Sequence, residues 1–173
     1  MSRTELQHLL LHASKKDTTA YMQAHPHHFQ DALEMALSDR QPLAWRAASL
    51  VKDCMKPNDP RVSQHLNRIV KLLPTKSDSQ LRELLLILQK MRITEELEGP
   101  LFDLCLQAWQ AVDKRPSIRY TALKTILTLV KKYPELSSEI SFLTEDHYLE
   151  TLSPAIRRGV QKSVGQLHRP PNT

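Results

Sequence analysis

Four arginines recur at nearly equal spacing and are the residues best suited to bind an anionic ligand. Arg46, Arg82, Arg119 and Arg157 lie 36, 37 and 38 residues apart, and each follows a proline or a capping residue and then an apolar residue. A guanidinium group presents its N–H donors in a planar fork that matches carboxylate and phosphate. If the arginines lie on one side of the fold, they could line a groove that binds an anionic group.

The same arginines also allow a structural interpretation. Each lies beside an apolar stripe, so its methylene groups can cover that stripe while the guanidinium pairs with an acid or a carbonyl between repeats. The sequence leaves both roles open. The candidate partner-binding residues are the four arginines and two cations on the same predicted helices, namely Arg46, Arg82, Arg119, Lys124, Arg157 and Arg158.

A polar stripe on the predicted helix 117–133 is a candidate surface for binding nucleic acid. Ser117, Thr121, Lys124, Thr128 and Lys131 are separated by four, three, four and three residues, so they share one helix face. A stripe of hydroxyl and ammonium groups can follow a phosphate backbone. An ordinary solvated helix face has the same pattern. Nucleic acid is therefore the alternative to a protein or peptide partner.

No motif in the sequence indicates catalysis, a cofactor or a small-molecule substrate. Glycine-rich phosphate loops, HExxH and GxSxG are all lacking. The segment His25-Pro26-His27-His28 is rich in histidine, but no carboxylate or cysteine partners accompany it at metal-ligand spacing. We therefore predict a protein that is not an enzyme and binds no metal.

The composition and the apolar runs indicate the fold class and the cellular compartment. The chain has 173 residues, a net charge of +5, only 3 glycines, and 28 leucines against 14 valines and isoleucines together. Such a core favours helices over sheets. The longest nearly uncharged apolar run, Leu84–Leu88, is too short for a membrane span, and the first residues lack a signal-peptide core, so we expect a cytoplasmic protein.

Prolines and capping residues divide the chain into about ten short helices joined by short loops. Among the predicted boundaries, one helix begins at Thr18, Ser77 and Gln80 form a capping box, another helix begins at Gly99-Pro100, and a short helix follows Pro134. We predict one helical domain over residues 1–167, with N-terminal capping helices at 1–25, helix pairs at 26–56, 59–92, 99–133 and 134–167, and a flexible tail at 168–173.

The segments around the four arginines resemble the second helices of HEAT and armadillo-type repeats. Pro42-Leu43-Ala44-Trp45-Arg46-Ala47-Ala48 is the closest fit, and the resemblance covers about residues 26–167. It implies an all-α superhelix of antiparallel helix pairs, in which each pair buries its apolar face against the next. It also implies a non-catalytic scaffold that binds a peptide or protein segment, acidic or phosphorylated, in a groove of stacked second helices.

Trp109 and Asp113, one helical turn apart, are similar to a pair found in HEAT-like DNA glycosylases. That resemblance implies that Trp109 and Trp45 contact a damaged nucleotide and that Asp113 is the catalytic acid. The other interpretation is a core tryptophan beside an aspartate at a helix end. We favour the second interpretation, because aromatic residues at helical spacing are usually core residues.

Overall fold

Helices make up the regular structure of the computed structural model, which describes residues 3–167. Within that range there are eleven α-helices and no β-strand, as the leucine-rich composition predicts. The helices are α1 (Arg3–His12), α2 (Lys15–Ala24), α3 (Phe29–Leu37), α4 (Leu43–Cys54), α5 (Pro60–Ser63), α6 (Leu66–Leu72), α7 (Asp78–Leu88), α8 (Glu95–Gln110), α9 (Pro116–Lys132), α10 (Asp146–Leu149) and α11 (Pro154–Leu167).

The chain forms two compact units, with the division between Leu97 and Glu98. In the first unit α3 packs along α4, α4 packs on α7, and α1 and α2 both contact α4. In the second unit α9 packs against α11. In each unit, the second helix of one pair therefore packs on the second helix of the next, as a helical repeat requires.

Small residues allow these helices to approach closely. Ala44, Ala47 and Ala48 on α4 are fully buried, and so is Ala122 on α9. An alanine side chain loses no rotamer entropy in a helix and keeps neighbouring helix axes near each other. At these positions the small side chains therefore leave room for a neighbouring helix.

Helix α8 begins earlier than the sequence predicts. We expected its start at Gly99-Pro100, but it starts at Glu95 and carries Pro100 inside. Pro100 is the sixth residue of α8, so α8 loses the backbone hydrogen bond that an N–H at this position would donate to the Glu96 carbonyl. The additional turn buries Glu98, whose carboxylate accepts hydrogen bonds from Lys132 Nζ at 2.7 Å and Tyr133 Oη at 2.6 Å.

Two helix starts differ from the capping predictions. Ser14 caps α2, since its Oγ accepts a hydrogen bond from the Asp17 backbone N–H at 3.2 Å, and α2 therefore begins at Lys15 rather than Thr18. The predicted capping box of α7 is wrong. Ser77 makes no side-chain cap, and Gln80 is buried and reaches the end of α3 instead.

The segment after Pro134 forms two 3₁₀ turns, Pro134–Ser138 and Ser141–Thr144, instead of the predicted short helix. The hydroxyl groups of Ser138 and Ser141 each donate to the carbonyl three residues earlier, which competes with regular helix formation. The predicted tail at 168–173 lies outside the described residues. No helix between residues 3 and 167 has the length and apolar character needed to cross a membrane.

Candidate functional site

Arg46, on α4, is bound to the end of another helix. Its Nη1 donates to the carbonyl oxygens of Leu10 at 2.9 Å and Leu11 at 3.1 Å, in the last turn of α1. Carbonyls in the last turn of a helix lack partners within the helix and lie at the negative end of its dipole. The guanidinium of Arg46 therefore links α4 to the end of α1.

Arg119, on α9, has the same kind of role in the second unit and is fully buried. Its Nε donates to the Trp109 carbonyl at 2.8 Å, near the end of α8, and its Nη2 donates to the Tyr148 carbonyl at 2.6 Å. Its Nη1 donates to Thr151 Oγ1 at 2.6 Å, and the Trp109 ring lies 4.7 Å from the guanidinium carbon. Arg119 has no exposed surface to offer a partner.

Arg157, at the start of α11, also donates to carbonyl oxygens. Its Nε reaches the Leu152 carbonyl at 2.9 Å, and its Nη2 reaches that of Glu150 at 2.5 Å. Arg46, Arg119 and Arg157 thus all bind backbone carbonyls at or just after helix ends, and we call them the anchoring arginines. Their recurrence marks the repeat because each repeat has such carbonyls to satisfy.

Arg82, on α7, is the exception among the four. Other side chains bind the carbonyls at the end of α3. Gln80 Nε2 donates to the carbonyl oxygens of Ala36 and Ser38, both at 2.8 Å. Lys76 Nζ donates to the Leu37 carbonyl at 2.8 Å. Arg82 instead donates from Nη1 to Glu83 Oε1 at 2.6 Å.

A line of mostly half-buried side chains in the first unit alternates in charge. Besides the Arg82–Glu83 pair, Lys52 Nζ lies 3.2 Å from Glu83 Oε2 and 3.2 Å from Asp53 Oδ1. Lys15 Nζ lies 2.9 Å from Asp53 Oδ2. Burial raises the pKa of Asp53, but the hydrogen bonds from Lys15 and Lys52 outweigh it and lower that pKa overall. These five residues form the ion-pair line, in which each acid has two cationic neighbours.

The second unit has a different exposed side. Helices α9 and α11 contain no aspartate or glutamate. Lys124 and Lys131 on α9 and Arg158 and Lys162 on α11 are exposed, and none of them forms an ion pair within residues 3–167. We call these four residues the cation face. Tyr120 lies beside Lys124, whose Nζ is 4.5 Å from the ring centroid of Tyr120.

A family model of the HEAT repeat domain matches residues 2–166, which is nearly the whole chain. The chain belongs to the HEAT repeat family. Neither the comparison with curated proteins nor that with solved structures found a match. The predicted HEAT-like repeat is confirmed, and HEAT repeats serve in general as scaffolds for protein interactions.

The polar stripe of the predicted helix 117–133 is only partly exposed in this HEAT repeat chain. Ser117, Lys124, Thr128 and Lys131 are exposed, but Thr121 is buried, and its hydroxyl donates to the Ser117 carbonyl at 2.8 Å. The five-residue stripe is therefore not one solvent-facing row. Within the predicted set of partner-binding residues, Lys124 and Arg158 are exposed, whereas Arg119 is buried and the others, Arg46, Arg82 and Arg157, are half-buried.

The glycosylase-like pair does not form a site in the HEAT repeat fold. Trp109 is fully buried, and its indole N–H donates to the Leu143 carbonyl at 3.1 Å, so its ring is part of the core. Asp113 is exposed. The interpretation of Trp109 as a core residue is confirmed. Trp45 is half-buried at a groove in the first unit.

The histidine-rich segment packs on itself near the start of α3. The rings of His25 and Tyr21 stack with centroids 4.4 Å apart, and His28 is buried with its Nδ1 3.1 Å from Asp31 Oδ2. In the described part of the chain, no group of three or more histidine, cysteine, aspartate or glutamate residues could hold a metal ion.

Two features of the site are not singled out by the sequence. Tyr120 is one, although its position four residues before Lys124 signals contact on one helix face. Gln80 is the other. Its spacing from Ser77 fits a capping box, so no local signal reveals that its amide binds the end of α3.

Proposed function

We propose that this HEAT repeat chain is a non-catalytic interaction module whose cation face binds an acidic segment of a protein partner. The observation that carries the proposal is the set of four exposed cations on α9 and α11 that no acid neutralises within residues 3–167. An acidic segment would supply the carboxylates that the ion-pair line of the first unit obtains from Asp53 and Glu83.

Charge complementarity of this kind chiefly sets specificity and the rate of association. A single exposed ion pair contributes only about 0–1 kcal/mol. Several cations on two adjacent helices can engage several carboxylates of one segment, and their summed potential attracts it from a distance. We expect binding of moderate affinity that weakens as ionic strength rises.

A protein segment is favoured over nucleic acid by the surroundings of Tyr120. Sequence-tolerant binding of single strands relies on aromatic rings on which bases stack. The ring of Tyr120 is half-buried, and the ammonium group of Lys124 already lies over one of its faces, which reduces the area on which a base could stack. The net charge of +5 over 173 residues is also modest for a protein that follows a phosphate backbone.

The test is charge reversal on the cation face. Lys124→Glu together with Arg158→Glu should weaken binding of a fluorescein-labelled peptide of alternating Glu and Ser by about tenfold or more, because two attractive contacts become repulsive. The control is Lys56→Glu with Lys71→Glu, which makes the same change in net charge at exposed cations of the first unit. Fluorescence anisotropy measures both.

Equal weakening by both double variants would show that only net charge matters and would contradict the cation face. A single-stranded oligonucleotide of matching charge is titrated in parallel. If it binds more tightly than the peptide, with an affinity that falls as a power of salt concentration, the partner is nucleic acid and the proposal fails.

A further inference from the structure

A groove in the first unit combines apolar and aromatic side chains with charged ones. It lies where α1 and α2 meet α4, has a volume of about 340 Å³, and is lined by apolar, aromatic and charged side chains, among them Leu10, Lys15, Trp45, Arg46, Ser49 and Leu50. This volume is near the lower end of the range for ligand pockets. It suits one or two residues rather than a segment that passes through.

The guanidinium of Arg46 at this groove is only partly used by the protein. Its Nη1 binds the two carbonyls of α1, but its Nε is buried and has no acceptor within residues 3–167. A buried donor without a partner is rare and costs free energy. Nη2 is not buried and makes no hydrogen bond within residues 3–167, so a ligand carboxylate in the groove can accept a charge-assisted hydrogen bond from Nη2.

The remaining lining supports an apolar group beside that carboxylate. Leu10 and Leu50 contribute aliphatic surface, and the half-buried ring of Trp45 lies 5.5 Å from the Arg46 guanidinium carbon. The one acid of the lining, Asp53, is seven residues from Arg46 on α4, which is about 10 Å along a helix. Asp53 is neutralised by the ion pair with Lys15, so it does not repel an anion at Arg46.

We propose that this groove binds the C-terminal residue of a partner peptide, with its α-carboxylate on Arg46 and its aliphatic side chain against Leu50 and Trp45. A C-terminal residue carries both groups on one Cα, so it meets both requirements within a small groove. An internal glutamate would need room for the chain on both sides. All lining residues belong to the first unit, so this site is separate from the cation face.

The test compares two forms of one short peptide, acetyl-Gly-Ser-Leu with a free C-terminal carboxylate and the same peptide as its C-terminal amide. Binding is followed by the NMR signals of the Trp45 indole N–H and of the Ser49 and Leu50 backbone amides. We expect these signals to shift with the free acid, and the amide to bind at least about tenfold more weakly, since it loses charge-assisted hydrogen bonds. Equal binding of the two forms, or shifts confined to other residues, overturns the proposal.

A groove-filling variant supplies the matched control. Ser49→Phe should abolish the shifts caused by the free acid, whereas Ser79→Phe, at an exposed position on α7, should leave them unchanged. Loss of binding in both variants would contradict a site at this groove. If Ser49→Phe does not fold, the comparison of free acid and amide on the unaltered chain still tests whether the groove binds a C-terminal carboxylate.

Two further titrations separate the alternatives. Acetyl-Gly-Glu-Leu-Gly-amide carries an internal carboxylate, and if it binds as tightly as the free acid, the C-terminal assignment is wrong. The variant with Lys124→Glu and Arg158→Glu should bind the free acid as the unaltered chain does. Failure of the groove and failure of the cation face are thereby distinguishable.

Discussion

The ion-pair line of the first unit and the cation face of the second unit use cations in opposite ways. In the first unit, Asp53 and Glu83 lie between Lys15, Lys52 and Arg82, so attraction is satisfied within the chain. In the second unit, α9 and α11 expose cations with no acid in either helix. A surface that supplies its own counter-charges gains little from an acidic ligand, whereas one that lacks them gains more. Acid placement, rather than the number of cations, therefore distinguishes the two surfaces.

The repeated arginines show a second contrast between the units. Arg82 and Arg119 occupy corresponding places in the repeat, yet Arg119 is fully buried on carbonyl acceptors and the side chain of Arg82 is 39% exposed beside Glu83. The difference arises because Gln80 and Lys76 already bind the carbonyls at the end of α3. A position in the repeat therefore does not determine a role by itself.

The largest effect is expected from Arg119→Met. It leaves the Trp109 and Tyr148 carbonyls without their donor in a buried environment, which should lower the free energy of unfolding by about 3–5 kcal/mol. The matched change Arg82→Met removes one hydrogen bond to the buried Glu83, which keeps Lys52 as a cationic neighbour, and should cost about 1–2 kcal/mol. Urea denaturation followed by circular dichroism measures both. Similar losses in the two variants would show that the two arginines do not differ in role.

A smaller effect is expected from Gln80→Ala. The substitution removes the donor to the Ala36 and Ser38 carbonyls and should cost about 2 kcal/mol. The loss is smaller than at Arg119 because Lys76 still binds the neighbouring Leu37 carbonyl. The control Gln23→Ala, at an exposed position on α2, should change stability by less than about 0.5 kcal/mol. If the two variants lose equal stability by urea denaturation, Gln80 does not replace an anchoring arginine.

The helices and the repeat could be predicted from the sequence because their signals are local. These signals are the prolines at the helix starts, Pro42 and Pro116, the leucines at helical spacing, and the recurring arginine. Each of them is read from residues a few positions apart in the sequence. The all-α class and the HEAT-like repeat follow from these signals.

The exposure of each arginine could not be predicted, because it depends on acceptors far away in sequence. Arg46 binds carbonyls about one repeat earlier in the chain, and the corresponding carbonyls one repeat before Arg82 are bound by Gln80. The start of α8 could not be predicted either, because the burial of Glu98 against Lys132 outweighs the local signal of Pro100. Local propensity is a weak prior where tertiary contacts compete with it.

The last prediction tests whether acid placement alone separates the two surfaces. Thr128→Glu puts a carboxylate four residues after Lys124 and three before Lys131 on the exposed side of α9, which copies the alternation of the ion-pair line. Stability should change by less than about 0.5 kcal/mol, since exposed pairs contribute little. Binding of the Glu/Ser peptide should nevertheless weaken severalfold, because Lys124 and Lys131 then have a partner within the chain.

Thr128→Gln is the matched control for that variant. It removes the same hydroxyl, which donates to the Lys124 carbonyl at 3.0 Å, and adds a side chain of the same length without charge. Peptide anisotropy should therefore report weaker binding for Thr128→Glu alone, and the difference between the two variants should shrink as salt screens the new carboxylate. If both variants bind the peptide as the unaltered chain does, the uncompensated charge of α9 is not what holds an acidic segment, and the contrast drawn between the two units has no consequence for binding.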